Sequence, residues 1–119
     1  MKKQFLLNEI WNLSISGAFQ RANVYDTGCK DEKSKNDCKK RLKKLIIEIA
    51  EQYKKEVDEK THLENIQRVF EFTDSCLTNG KLNFGVSQKL LNLYLKYLWC
   101  LEMIPTPPHF PIEIGRAHV

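Results

Sequence analysis

The sequence lacks the motifs that mark the common classes of enzyme and metal-binding protein. It contains no glycine-rich phosphate loop, no H-E-x-x-H, no G-x-S-x-G and no paired-carboxylate motif. Its four cysteines include no C-x-x-C pair, which argues against a structural zinc site. We therefore expect no catalytic residue, no metal site and no cofactor within these 119 residues.

Long apolar runs, glycine and proline are also scarce. No apolar run is long enough to span a bilayer, and the first residues turn polar too soon for a secretory signal. With five glycines, four prolines and 42% hydrophobic residues, the composition is not that of a disordered or collagen-like chain. We expect one soluble, cytoplasmic domain that does not bind a membrane.

A cytoplasmic location also predicts that the cysteines are not paired in disulfides. Cys76 and Cys100 lie in apolar helical contexts, which predicts that they are small buried side chains. Cys29 and Cys38 flank a lysine-rich segment, which predicts exposed thiols.

The last seven residues, Glu-Ile-Gly-Arg-Ala-His-Val, have an alternative origin. They are the translation of the sequencing-library adapter AGATCGGAAGAGCACACGTC read after one G. We interpret residues 113–119 as an adapter-derived, non-native tail, and residues 1–112 as the N-terminal fragment of a longer protein. The alternative is a genuine polar tail. We leave Arg116 and His118 out of every candidate site.

Apolar spacing predicts an all-α fold of four to five helices. The first helix covers about residues 3–21, and its serines and Gly17 predict a break near residues 14–17. The second carries a continuous apolar stripe from Leu42 to Val57, and Ser34 with Asp37 predicts its start.

A T-x-x-E pattern at Thr61 and Glu64 predicts the start of the third helix, and residues 79–80, Asn-Gly, predict its end. The fourth helix, about residues 85–103, is apolar on nearly every side. It is therefore expected to be the central, most buried helix. Pro105 should stop it, and residues 105–111 should be extended.

The run N-F-G-V-S-Q-K-L-L-N-L-Y-L-K-Y-L-W-C-L at residues 83–101, followed by Pro107, Pro108 and His109, resembles an uncharacterised family of small bacterial helical proteins. The family pattern reads F-G-x-[AS]-Q-K-x-L-N-L-Y-L-K-Y-L-W-C-L and then P-P-H-C-P. Phe110 stands at the last cysteine of that pattern, which argues against a metal or thiol role there. The resemblance implies a further C-terminal segment, and it implies no activity.

Charge is strongly segregated along the chain. Residues 30–44 hold eight bases against three acids, whereas residues 45–80 hold four bases against eight acids. A dense basic patch attracts phosphate. Its position in the first turns of a helix, where the helix dipole disfavours cations, points to a compensating anion. The alternative is a solvated helix start.

Two groups of residues are therefore candidates for nucleic-acid binding. One is the lysine cluster of the second helix. The other belongs to a polar stripe on the fourth helix, which is either a phosphate-binding groove or a strip of solvent-facing residues. The candidate residues are Lys39, Lys40, Lys43, Lys44, Lys89, Asn92 and Lys96.

The sequence is compatible with three functions. The first is a nucleic-acid-associated accessory protein that binds DNA or RNA through the lysines. The second is a helical protein-interaction module covered by a protein partner or by its own absent C-terminal segment. The third is part of an enzyme whose site needs that segment. We expect His62 to face solvent, and the role of His109 in the proline-rich segment stays open.

Overall fold

A computed structural model describes residues 2–20 and 22–105, which form a bundle of four α-helices. A short 3₁₀ helix follows the second of these, and another precedes the fourth. The described residues contain no β-strand, only two isolated bridges. The predicted all-α fold is confirmed. The elements are α1 (Lys2–Phe19), α2 (Glu32–Ala50), the 3₁₀ helix Glu51–Lys54, α3 (Glu59–Phe70), the 3₁₀ helix Thr78–Gly80 and α4 (Phe84–Cys100).

The fourth helix lies at the centre of the bundle, as its apolar sequence predicts. It packs against α1 on one side and α3 on another, and Leu90, Leu91 and Leu95 are fully buried. The rings of Trp11 on α1 and Tyr94 on α4 meet edge to face, with centroids 6.4 Å apart. The helix ends at Cys100, several residues before the proline that was expected to stop it.

The first helix is continuous, so the predicted break near residues 14–17 is wrong. The Ser14 hydroxyl donates a hydrogen bond of 2.7 Å to the carbonyl of Ile10, one turn earlier, and so the buried serine is satisfied within the helix. Gly17 faces α4, where a Cβ atom would lie 2.9 Å from Leu93 Cδ1. Its lack of a side chain permits the close approach of the two helices.

The N-caps of two helices lie three residues before the positions that the sequence predicts. Asp31 is the N-cap of α2, and its carboxylate accepts from the backbone N–H of Ser34 at 3.1 Å. Asp58 is the N-cap of α3, and it accepts in the same way from Thr61 at 2.8 Å. In both cases the residue expected to be the cap is instead the partner of an earlier carboxylate.

The third helix ends at Phe70, well before the Asn-Gly pair that was expected to end it. The segment after it pairs with the loop between α1 and α2. The backbone N–H of Asp26 donates to the Cys76 carbonyl, and that of Thr78 donates to the Val24 carbonyl, both at 2.9 Å. The following Asn79 and Gly80 have φ angles of 58° and 80°, so the pair forms a turn in this segment.

A disulfide between Cys29 and Cys76 joins the same two loops, with Cα atoms 5.2 Å apart. The prediction of unpaired cysteines is therefore wrong for these two. The burial predictions for the remaining cysteines are also wrong, because Cys38 is buried and Cys100 is exposed. Cys38 lies on the inner face of α2, four residues before the buried Leu42, and that spacing is the signal that sequence reasoning missed.

Candidate nucleic-acid interface

Three of the predicted lysines lie around one shallow depression on the surface. Lys40, Lys43 and Lys44, together with Ile47, line it on the outer side of α2. These residues are spaced i, i+3, i+4 and i+7, which places them on one face of the helix. We call the three lysines the lysine face.

The helix that carries the lysine face is held by its opposite side. Leu42, Ile46 and Ile49 are fully buried there. Lys43 also contacts α1, because its ammonium donates a hydrogen bond of 2.8 Å to Asn8 Oδ1. The backbone under the lysine face is therefore fixed by packing, while Lys40 and Lys44 stay exposed to solvent.

The other basic residues of this segment lie elsewhere. Lys39 is half-buried at the edge of the inner face and does not line the depression. Lys33 forms an ion pair of 3.1 Å with Asp37. The lysine face also lies in the middle of α2, because the helix begins at Glu32. The proposed conflict with the helix dipole is therefore wrong: Asp31 and Glu32 supply the favourable charge at the N-terminus.

Arg41, which has the only guanidinium in the basic segment, is exposed but bonds to a buried carboxylate of the protein. Its Nε donates to Asp74 Oδ2 at 2.8 Å, and its Nη2 donates to the same oxygen. This hydrogen bond raises the pKa of Arg41 further. The Asp74 side chain is 3% exposed, and its other oxygen accepts from the backbone N–H of Cys76. Arg41 is thus a structural contact between α2 and the disulfide-linked loop.

We expect Asp74→Asn to flatten the loss of stability in acid. Burial alone raises the pKa of Asp74, but the Cys76 N–H and the Arg41 guanidinium outweigh it and lower the pKa below 3.8. Because the folded-state pKa is the lower one, the ionised carboxylate stabilises the fold above the unfolded pKa. That contribution is lost as the pH falls towards the folded pKa.

Urea denaturation at several values between about pH 5 and pH 2 measures this effect. Arg41→Gln keeps the carboxylate but removes its partner, so its acid loss should begin at a higher pH than in the unmodified protein. A pH profile of Asp74→Asn that superimposes on that of the unmodified protein would contradict the role of this pair.

The candidate residues on α4 form a separate group. Lys89 and Lys96 are exposed, but neither lines the depression of the lysine face. Asn92 is 8% exposed, so the interpretation of it as part of a solvent strip is wrong. Because it is turned inwards against α3, we leave Asn92 out of the proposed interface.

Asn92 belongs to a buried polar network that sequence reasoning missed. The His62 ring contacts Asn92 Oδ1 through Nε2 at 3.0 Å and the Tyr53 hydroxyl through Nδ1 at 2.7 Å. Asn65 in turn donates to the Tyr53 oxygen at 2.9 Å. With Asn92 Oδ1 as acceptor, the neutral imidazole carries its proton on Nε2 and accepts from Tyr53. Burial raises the pKa of Tyr53, which keeps that hydroxyl protonated and able to donate.

The prediction that His62 faces solvent is therefore wrong, since its exposed fraction is 2%. The network joins the 3₁₀ helix after α2 to α3 and α4, which makes it an interior structural contact. The missed signal was spacing: His62 precedes Ile66 by four residues, and Asn65 precedes Val69 by four, and all four are buried. The sequence alone does not predict the burial of His62, because its hydrogen-bond partners lie on other elements of the fold.

Comparison with known protein families, proteins and structures assigns no function to this chain. No family model, curated protein or solved structure matches this chain. Within residues 2–20 and 22–105 no three histidine, cysteine or acidic side chains come together as a metal site. No helix in this part of the chain is long and apolar enough to cross a membrane. The expectations for residues 106–119, including His109 and the tail, lie outside the described residues.

Proposed function

We propose that this protein is a nucleic-acid-associated accessory protein that binds the phosphate backbone through the lysine face. The observation that carries the proposal is the grouping of Lys40, Lys43 and Lys44 around one surface depression, where none of the described lining residues is acidic. Ammonium groups on one rigid helix face can contact successive phosphates, and lysine is a point charge that reads little base sequence. Binding should therefore depend on charge and only slightly on sequence.

Duplex is the expected form of nucleic acid. Binding of single strands usually combines a basic groove with aromatic rings on which bases stack. Among the described residues, Ile47 is the only apolar side chain that lines the depression of the lysine face, and none of those lining it is aromatic. Contacts with phosphates alone favour the regular, highly charged duplex backbone.

Neutralising the lysine cluster should flatten the salt dependence of binding. In the variant Lys39→Gln, Lys40→Gln, Lys43→Gln and Lys44→Gln, we expect the slope of log affinity against log salt to fall by about 3–4, because each lost phosphate contact releases about one counterion fewer. Fluorescence anisotropy with a labelled duplex and a labelled single strand across a salt series measures this slope.

A matched variant neutralises four exposed lysines outside the cluster: Lys2, Lys30, Lys55 and Lys60. It changes the net charge equally and should keep most of the slope. The double variant Lys89→Gln and Lys96→Gln separately tests the α4 lysines. Equal affinity of the cluster variant and the unmodified protein, or no binding at low salt, would contradict the proposal.

A helical protein-interaction module is the second candidate function. It is favoured by large apolar side chains that stay exposed on the described surface, above all Phe5 at 64% and Leu13 at 54%. Single exposed apolar residues are common on any protein surface. A contiguous apolar groove is more informative, and one is present between three helices.

A further inference from the structure

An apolar groove lies where the N-terminal part of α1, the end of α2 and the end of α4 meet. Its floor is formed by the buried side chains of Ala50, Tyr94, Leu98 and Ile104. Leu7, Ile47 and Met103 form its walls. The groove is continuous with the lysine face, because Ile47 lines both.

The rim of the groove is mostly cationic. Lys3 on α1 and Lys54 after α2 stand at its edge, together with one acid, Glu51. Glu51 Oε1 lies 2.9 Å from the Lys54 ammonium, so this pair offsets part of the charge and the rim keeps a net positive charge with Lys3. The lysine face continues the positive surface on the far side of Ile47. An occupant must therefore combine an apolar group with negative charge around it.

The volume of the groove limits the apolar group. It encloses about 170 Å³, less than the roughly 300–1,000 Å³ of pockets that hold small-molecule ligands. This is room for one large side chain, and too little for a long acyl chain. A phosphate group would not be stabilised by contact with a floor of leucine, isoleucine and tyrosine side chains. A second copy of this chain would also carry a net charge of +4, which does not supply the negative charge that the rim favours.

We propose that the groove receives one large apolar side chain of an acidic amphipathic helix from another protein, whose carboxylates face Lys3 and Lys54 at the rim. An amphipathic helix in an apolar groove is a recurring mode of recognition, and anchoring side chains in desolvated pockets supply most of its affinity. This inference deepens the second candidate function and is independent of nucleic-acid binding.

The test uses a fluorescein-labelled peptide of about four helical turns, with leucines at i, i+3, i+4 and i+7 and glutamates elsewhere. A peptide of the same composition, with its leucines scattered around the helix, controls for charge alone. We expect anisotropy to show binding of the amphipathic peptide to the full chain, about tenfold tighter than binding of the scattered one.

Two substitutions on the groove should weaken peptide binding without unfolding the protein. Ile47→Glu puts a carboxylate at the wall, where the side chain is 39% exposed, and should cost tenfold or more in affinity. Lys54→Glu reverses the rim charge and should cost several-fold. Leu13→Glu and Lys60→Glu make the same chemical changes at exposed positions outside the groove lining and should leave affinity unchanged. Circular dichroism and thermal melts confirm that each variant is folded.

The proposal fails if neither peptide binds, if both bind equally, or if Leu13→Glu weakens binding as much as Ile47→Glu. It also fails if sedimentation velocity shows a dimer that Ile47→Glu dissociates, since a second copy then occupies the groove. Displacement of the peptide by duplex DNA, with a loss of DNA affinity in Lys54→Glu, would assign the groove to nucleic acid, because Lys54 lines the groove and not the depression of the lysine face.

The two proposals can fail separately. The variant Lys40→Gln and Lys44→Gln removes two lysines that do not line the groove, so it should lose duplex affinity and keep peptide affinity within about twofold. Loss of peptide binding alone, in Lys54→Glu, would leave the nucleic-acid proposal intact.

Discussion

Leu91→Ala is expected to lower the free energy of unfolding by about 2–5 kcal/mol. Leu91 is fully buried at the middle of α4, and Leu98, in the last turn of the helix, is 6% exposed. Because α4 packs against both α1 and α3, a truncated leucine leaves a cavity that neither neighbouring helix can fill alone. Leu98→Ala should have a cost in the same range.

Urea denaturation with a common m-value measures the loss. Leu13→Ala is the matched control, because the same atoms are removed from a side chain that is 54% exposed, and it should stay within about 0.5 kcal/mol of the unmodified protein. A loss below about 1 kcal/mol at both Leu91 and Leu98 would mean that α4 is peripheral, contrary to the described packing.

Reduction of the Cys29–Cys76 disulfide should have an effect of similar size. The two cysteines are separated by 47 residues, so the bond restricts a long loop in the unfolded chain. Loop-closure entropy for that separation predicts a loss of about 4 kcal/mol, and measured losses are typically about 2–4 kcal/mol. The folded loops should stay paired, because backbone hydrogen bonds also join them.

Denaturation with and without a reductant, compared with Cys29→Ser/Cys76→Ser, measures the contribution. Thiol titration of the denatured protein should find two free thiols before reduction, those of Cys38 and Cys100, and four afterwards. Cys100→Ser is the control and should keep the full stability, because that thiol is exposed. Four free thiols without reductant, or equal midpoints in both conditions, would contradict the disulfide.

The buried thiol of Cys38 is not expected to exchange with this disulfide. Burial and, second to it, the neighbouring Asp74 carboxylate raise the pKa of Cys38 to about 11, against a smaller lowering by Arg41 and Lys39. Thiolate is the species that attacks a disulfide, and at neutral pH this thiol is protonated. In the folded protein, a thiol reagent should therefore modify the exposed Cys100 before the buried Cys38.

The spacing of apolar residues along the chain was enough to predict features that belong to single helices. The apolar spacing of α2 and the nearly uniform apolarity of α4 predicted both helices, the central position of α4 and the all-α class. Those features follow from hydrophobic periodicity, which is a property of neighbouring residues in the chain. The grouping of Lys40, Lys43 and Lys44 follows in the same way from their helical spacing.

The same spacing did not predict where α2 and α3 begin or where α3 ends. Asp31 and Asp58 cap their helices in place of the serine and threonine patterns three residues later, since a carboxylate satisfies the same free N–H groups. The stripe of α3 continues past Phe70 in the sequence, yet the helix stops because the backbone that follows pairs with the loop after α1. No short window of sequence contains that loop.

The sequence by itself thus determined the fold class and the helix face that Lys40, Lys43 and Lys44 share, because both depend on spacing within single helices. Only the tertiary structure decided the most distant partners of Cys29, Arg41 and His62, which lie 47, 33 and 30 residues away. A residue's burial and charge compensation depend on which distant elements pack against it. The groove between α1, α2 and α4 exists only after three separate helices have met.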